Sequence, residues 1–390
     1  MSAGVREPAG YAGQGGAVRP AGRAGPEGEG AGPGGGGTTR THDLSAGGGV
    51  LARVEETARE AARLHGLPAA EVTLINVSEN ATFRVDDPET GLRAVLRVHR
   101  LGYHSAAAIG SELAWLEALR AQAGVRTPAV IPAPDGSRVL AVPEPVPEAG
   151  PQAAPGALPR ARTRHCVLFE FLPGSEPPQD RLVEGFERLG EVTARMHRHA
   201  RSWRRPAGFT RFHWDYDAML GAESRWGRWQ DGPGMDAEAL AVLARLDGEL
   251  RGRLRRFGRD TGRYGLIHAD LRLANLLVTG DGPPSVIDFD DCGFGWYLYD
   301  LAAALSFIEH DPRVPEMIEA WLRGYRSAGV LAGGDEAEIW TFVLLRRLLL
   351  VAWIGSHGGV DIAAELGAGY TRGACELAER YLTGALPAFR

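Results

Sequence analysis

The chain has 390 residues, 44% of them hydrophobic, enough for a sizeable core in two to three domains or one large two-lobed unit. Its formal net charge of −6 excludes a general excess of positive charge for gripping nucleic acid or an anionic membrane, and all 43 basic residues are arginine. Cys166, Cys292 and Cys375 are too scattered for a disulfide framework or a paired metal motif and suit a reducing compartment. No apolar run reads as a bilayer span, and the N-terminus lacks the apolar centre of a signal peptide, so a cytoplasmic protein is expected.

Residues 1–45 are mostly Gly, Ala, Pro and polar groups, which cannot bury enough apolar surface to offset their ordering entropy; a disordered tail is expected. Helical spacing of Leu51, Val54, Ala58, Ala61 and Ala62 predicts a helix over 50–64. Three strands follow at 72–77, 81–85 and 94–99, joined by Ser78-Glu79-Asn80 and by the strong turn signal at 86–91. The helix over 105–123 carries Ile109, Leu113, Leu116 and Leu119 on its apolar face, with Glu112 among them. One strand, 138–142, interrupts a Pro- and Ala-rich region, and its continuation at 143–164 reads as an extended surface insertion. Residues 165–174 read as a buried strand leaving into a turn.

Beyond this point helices dominate. A helix over 181–199 ends in His197 and His199, read as partners of the helix dipole rather than metal ligands. Between 203 and 230 lie Trp203, Phe209, Phe212, Trp214, Tyr216, Trp226 and Trp229, which either pack a long connection or wall a binding pocket. Helices follow at 237–257, 298–308, 314–328, 336–354 and 367–382, with 293–296 a glycine-hinged loop; there is no internal repeat.

The chemistry concentrates at 266–291. Asp270 follows the apolar residues Leu266 and Ile267, Asn275 comes five residues later, and Asp288 follows a Gly-Asp-Gly-Pro-Pro turn and Val286-Ile287. The layout reads as strand, loop, strand, tight hairpin, strand, with a carboxylate or amide delivered at each strand end. Phosphoryl transfer needs such a set: one carboxylate to align and deprotonate the attacking hydroxyl, and an amide oxygen with a second carboxylate to hold Mg²⁺. The Asp-x-x-x-x-Asn spacing matches the end of a kinase catalytic loop, and Asp288-Phe289-Asp290 matches Asp-Phe-Gly with Asp in place of Gly.

His268-Ala269-Asp270, Asn275 and Ile287-Asp288-Phe289-Asp290-Asp291 resemble the aminoglycoside phosphotransferase-like kinases, a superfamily with choline, homoserine and hydroxylysine kinase branches and a bacterial stress-response protein kinase. The resemblance spans residues 72–382 and implies an α+β, two-lobed protein-kinase-like fold, ATP and Mg²⁺ as cofactors, and a hydroxyl acceptor. It implies a nucleotide-binding lobe at 46–172 and a helical catalytic and acceptor-binding lobe at 173–390. Asp270 is then the catalytic residue, with Asn275 and Asp288 on the metal. Ser78 and Asn80 lie on the turn over the phosphates. Arg97, where the family usually has Lys, holds the phosphates, steadied by Glu112 in preference to Glu117. The backbone near Glu170 and Leu172 contacts adenine. Asp290 and Asp291 either draw in a cationic acceptor or a second metal or serve as turn residues, and Asp300 bonds catalytic-loop amides or caps its own helix. Small-molecule phosphorylation is the leading reading; a Ser/Thr protein kinase and a pseudokinase scaffold are the alternatives. The acceptor, ATP against GTP, and the oligomeric state stay open.

Overall fold

The computed structural model describes residues 48–78, 80–145, 162–280, 282–357 and 361–389. The expected tail, Glu79 and most of the expected insertion lie outside the described residues. The N-terminal helix α1 (Gly48–Leu64) turns Val54, Ala58, Ala61 and Ala62 toward an antiparallel sheet, at the spacing of one helix face. The sheet begins with the meander β1 (Glu71–Val77), β2 (Ala81–Asp86) and β3 (Arg93–Val98). Asp87 closes the β2–β3 turn by accepting from the Thr90 amide and hydroxyl. Helix α2 (Ala106–Ala118) starts where the Ser105 hydroxyl accepts from the Ala108 amide at 3.2 Å. Three strands complete the sheet: β4 (Val130–Ile131), β5 (Leu140–Pro143) and β6 (Thr163–Glu170). The order is β1-β2-β3-β6, with β4 and β5 both pairing β6. Strand β4 was not expected; two residues amid prolines are too short to set up an alternation.

The strand period of two decides what faces the cleft. Ala94, Leu96 and Val98 join the cluster under α1, whereas Val95 packs with Ile109 and Leu113 of α2. Arg97 alternates with Leu96 and Val98, so it takes the α2 side.

The helical part contains α3 (Leu182–Ser202), β7 (His213–Trp214), α4 (Tyr216–Leu220), α5 (Ala237–Phe257), β8 (Tyr264–Ile267), β9 (Leu276–Leu277), β10 (Ser285–Val286), β11 (Gly293–Trp296), α6 (Leu298–Ala304), α7 (Val314–Ala328), α8 (Ile339–Ser356) and α9 (Asp361–Leu382). Helices α3 and α7 meet backbone to backbone at Gly190 and Gly324, where an added Cβ would overlap the carbonyls of Trp321 and Glu187.

Five expectations change. The motif strands divide: β9 and β10 form the hairpin, but β8 pairs with β11, which also pairs parallel with β7. Residues 293–296 are thus a strand rather than a hinge; their glycines make room for Phe212, Trp214 and Ile267. Helix α6 stops at 304, and α9 begins at 361 with a kink at Gly367. The segment Asp335–Ser356 is long and apolar enough to cross a membrane, contrary to the sequence reading, but 83% of that window is buried inside the protein.

Candidate active site

Arg97 reaches across from β3. Its Nη2 donates to the Glu112 carboxylate at 2.5 Å and its Nη1 to Asp288 at 3.3 Å, with Asp290 at 4.0 Å. Glu112 is fully buried, because its position on α2 falls on the apolar face; Glu117 is half-buried and pairs with Arg138 instead. Burial of a carboxylate and a guanidinium is tolerable here because their opposite charges pair. The Arg97 Nε, also buried, has no hydrogen-bond partner among the described residues.

The catalytic-type loop is held from behind by Asp300 at the start of α6. Its Oδ2 accepts from the His268 amide at 3.1 Å and its Oδ1 from the Ala269 amide at 2.7 Å. That grip stabilises Ala269 at φ 68°, a left-handed backbone uncommon for a residue with a Cβ. Buried His197 donates from Nε2 to Asp300 at 2.9 Å and accepts from the Tyr325 hydroxyl at 3.0 Å. The expectation that His197 serves the helix dipole is therefore corrected: it is a core brace. His268 links the loop to the hairpin, its Nε2 donating to the Ile287 carbonyl at 3.1 Å.

Asp270 and Asn275 face each other, the Asn275 amide nitrogen donating to an Asp270 carboxylate oxygen at 2.8 Å. Arg272 Nε donates to that same oxygen at 3.1 Å, and Arg346 of α8 donates to the other at 2.6 Å. Burial works to raise the Asp270 carboxyl, but Arg272 and Arg346 outweigh it and hold the group below its usual value. Asp288 is the opposite case. Desolvation in the cleft, with Asp290 and Asp270 adding to it and Arg97 opposing, pushes it up to about 6. Its outer edge still opens to a cavity that Ser78, Arg97, Glu112, Glu170, Arg272 and Asn275 also line.

Asn80 and Asp290 sit elsewhere than anticipated. Asn80 does not face this cavity; it is buried and its side-chain oxygen accepts from the Arg100 amide at 3.1 Å. Glu170 lines the cavity, its amide donating to the Ala129 carbonyl and its carboxylate taking Arg120, while the Leu172 side chain packs with Leu277 and Ile287. Asp290 is not available at the mouth: it is buried between His99 at 3.3 Å and His104 at 3.5 Å. Against its burial, His104, His99 and Arg97 hold its carboxyl well below the usual range. Asp291 accepts from the Tyr103 hydroxyl at 2.7 Å. Of the 203–230 aromatics, Trp214, Trp226 and Trp229 are core residues, Trp214 also bonding the Asp291 carbonyl.

Sequence reasoning missed Arg346, Arg272 and Tyr299. A signal existed for the first: Arg346-Arg347 interrupts an apolar run, and cations inside a buried helix require specific partners.

An antiparallel sheet facing a helical bundle, with two aspartates and an asparagine at the junction, defines a phosphotransferase of the protein-kinase-like fold. The chain belongs to the phosphotransferase enzyme family, whose model matches residues 71–338. Its activity is ATP-dependent phosphoryl transfer to a small-molecule hydroxyl. A microcompartment-associated aminopropanol kinase of known structure is 46% identical, with 84% of this chain and 98% of that chain covered and a TM-score of 0.74. Amicoumacin kinase of Bacillus subtilis (strain 168) is 25% identical over 308 residues, 76% of this chain and 83% of that protein. An amicoumacin kinase solved with AMP-PNP, Ca²⁺ and Ami shares the fold at a TM-score of 0.64 and 21% identity, covering 84% of this chain and 95% of that one.

Proposed function

We propose that the protein moves the γ-phosphoryl group of Mg·ATP to the hydroxyl of a small amino alcohol of the aminopropanol type. The observation that carries this reading is the 46% identity to the aminopropanol kinase over nearly all of that chain. Asp270 orients the hydroxyl and accepts its proton. Asn275 and Asp288 hold the cation, and the donor set suits it: the Asn275 nitrogen is engaged by Asp270, which leaves the amide oxygen for a metal, and Asp288 is a crowded carboxylate. The bound cation neutralises charge on the triphosphate. Arg97, set by Glu112, grips the phosphates through its planar fork, and Arg272 adds positive charge beside their path. Ser78 covers the phosphates from the β1–β2 turn, and the backbone around Glu170 and Leu172 meets the adenine. Cytoplasmic placement accompanies this reading.

The test is acceptor-dependent ADP release with 1-amino-2-propanol, ethanolamine, homoserine and an aminoglycoside. Amino alcohols should give the highest kcat/KM, by at least about tenfold, or about 1.4 kcal/mol of transition-state binding. A preference for the aminoglycoside or for homoserine overturns the acceptor class.

A further inference from the structure

Helix α8 carries two adjacent buried arginines with different partners. Arg347 faces away from the loop, its Nη1 donating to the Glu309 carboxylate at 2.7 Å and its Nη2 to the Tyr370 carbonyl at 3.0 Å. Arg346, only 2% exposed, turns instead to the loop that carries Asp270. Its Nη2 donates to Asp270 Oδ1 at 2.6 Å, its Nη1 to the Ala269 carbonyl at 3.4 Å and the Tyr299 hydroxyl at 3.2 Å, and its Nε to the Ser306 hydroxyl at 3.0 Å. One guanidinium thus grips both the carboxylate and the carbonyl of the left-handed residue before it. Tyr299 and Ser306 fix the guanidinium in turn.

The two Asp270 oxygens are not equivalent. Oδ2 accepts from Arg272 Nε and from the Asn275 amide, two donors for its two lone pairs. Among the described residues Oδ1 accepts from Arg346 alone, which leaves one lone pair open. We propose that Arg346 is a positioning residue: it aims Asp270 so that Oδ1 receives the acceptor hydroxyl. This rests on the assignment of Asp270 as the residue that orients the acceptor. Lysine would preserve the charge at this place but not the fork, so it can hold the carboxylate without the carbonyl.

The experiment compares Arg346→Met, Arg346→Lys and Asp270→Asn, reading kcat, the KM for each substrate, and the ratio of ADP formed to acceptor phosphorylated. Arg346→Met should lower kcat about 100-fold, the scale of a misplacement near 1 Å, with the KM for ATP within about twofold of wild type. The ratio should rise above one, because water takes the phosphoryl group when the hydroxyl is poorly aimed. Arg346→Lys should recover about tenfold in kcat over the Met variant and lower the ratio, as a charge without the fork restores part of the aim. If Arg346→Met fails to fold, Arg346→Lys and Tyr299→Phe carry the same readouts. A normal kcat, or a loss with the ratio still at one and no recovery in the Lys variant, makes Arg346 a structural brace and overturns the proposal. Asp270→Asn retaining near-normal activity overturns the underlying assignment instead, whatever the Arg346 variants do.

Discussion

The loop bearing Asp270 and the hairpin bearing Asp288 border the same cleft but carry opposite charge balances. On the loop, two arginines converge on one carboxylate, and Asp270 is held below its usual value. On the hairpin, one arginine is divided among Glu112, Asp288 and Asp290, and Asp288 is pushed up to about 6. The scaffolds differ too: Asp300 and His197 fix the loop from within the helical part, while His99, Tyr103 and His104 reach over from the sheet side to the hairpin. The lesson is a division of labour. The loop is finished by the protein's own cations, whereas the hairpin keeps surplus negative charge that suits an incoming cation.

The largest expected effect is at the loop. Asp270→Asn should reduce kcat about 10³-fold, near 4 kcal/mol of barrier, with nucleotide affinity close to wild type by calorimetry. Asp288→Asn breaks the comparison from the other side: kcat should fall about 100-fold, and half-maximal activity should require about tenfold more Mg²⁺, read by titration. Next comes the scaffold behind the loop. His197→Asn should remove about 1–3 kcal/mol of unfolding free energy in a urea titration. Burial lowers the folded His197 pKa below 6.5, so the unfolded chain binds more protons; its contribution is complete above 6.5 and is lost as pH falls below that value. The variant should therefore lose less stability than wild type between pH 7.5 and 5.5. The smallest effect is Tyr103→Phe, which deletes the bond to Asp291 and should cost about 1 kcal/mol or less, with little change in kcat.

Much of this was legible because local pattern and tertiary role coincide. Asp270, Asn275 and Asp288 are close in sequence and meet around one hairpin. Glu112 could be chosen over Glu117 because apolar neighbours put it on the inward face. The helices Ala237–Phe257 and Val314–Ala328 have the bounds their periodicity predicted. Illegible parts depend on distant partners. Arg346 lies 76 residues from Asp270, and nothing near either shows that they touch. His197 looked like a helix-end cation because its partners, Asp300 and Tyr325, are over a hundred residues away. Strand β11 looked like a hinge because its glycines answer to aromatic neighbours in other segments rather than to backbone freedom.

The guanidinium at Arg97 has a practical corollary for chemical proteomics. Acyl-phosphate nucleotides report kinases by transferring a tag to the side-chain amine of a lysine that lies against the triphosphate. This chain has no lysine in any position, so such a reagent should bind in the cleft and leave no side-chain label behind.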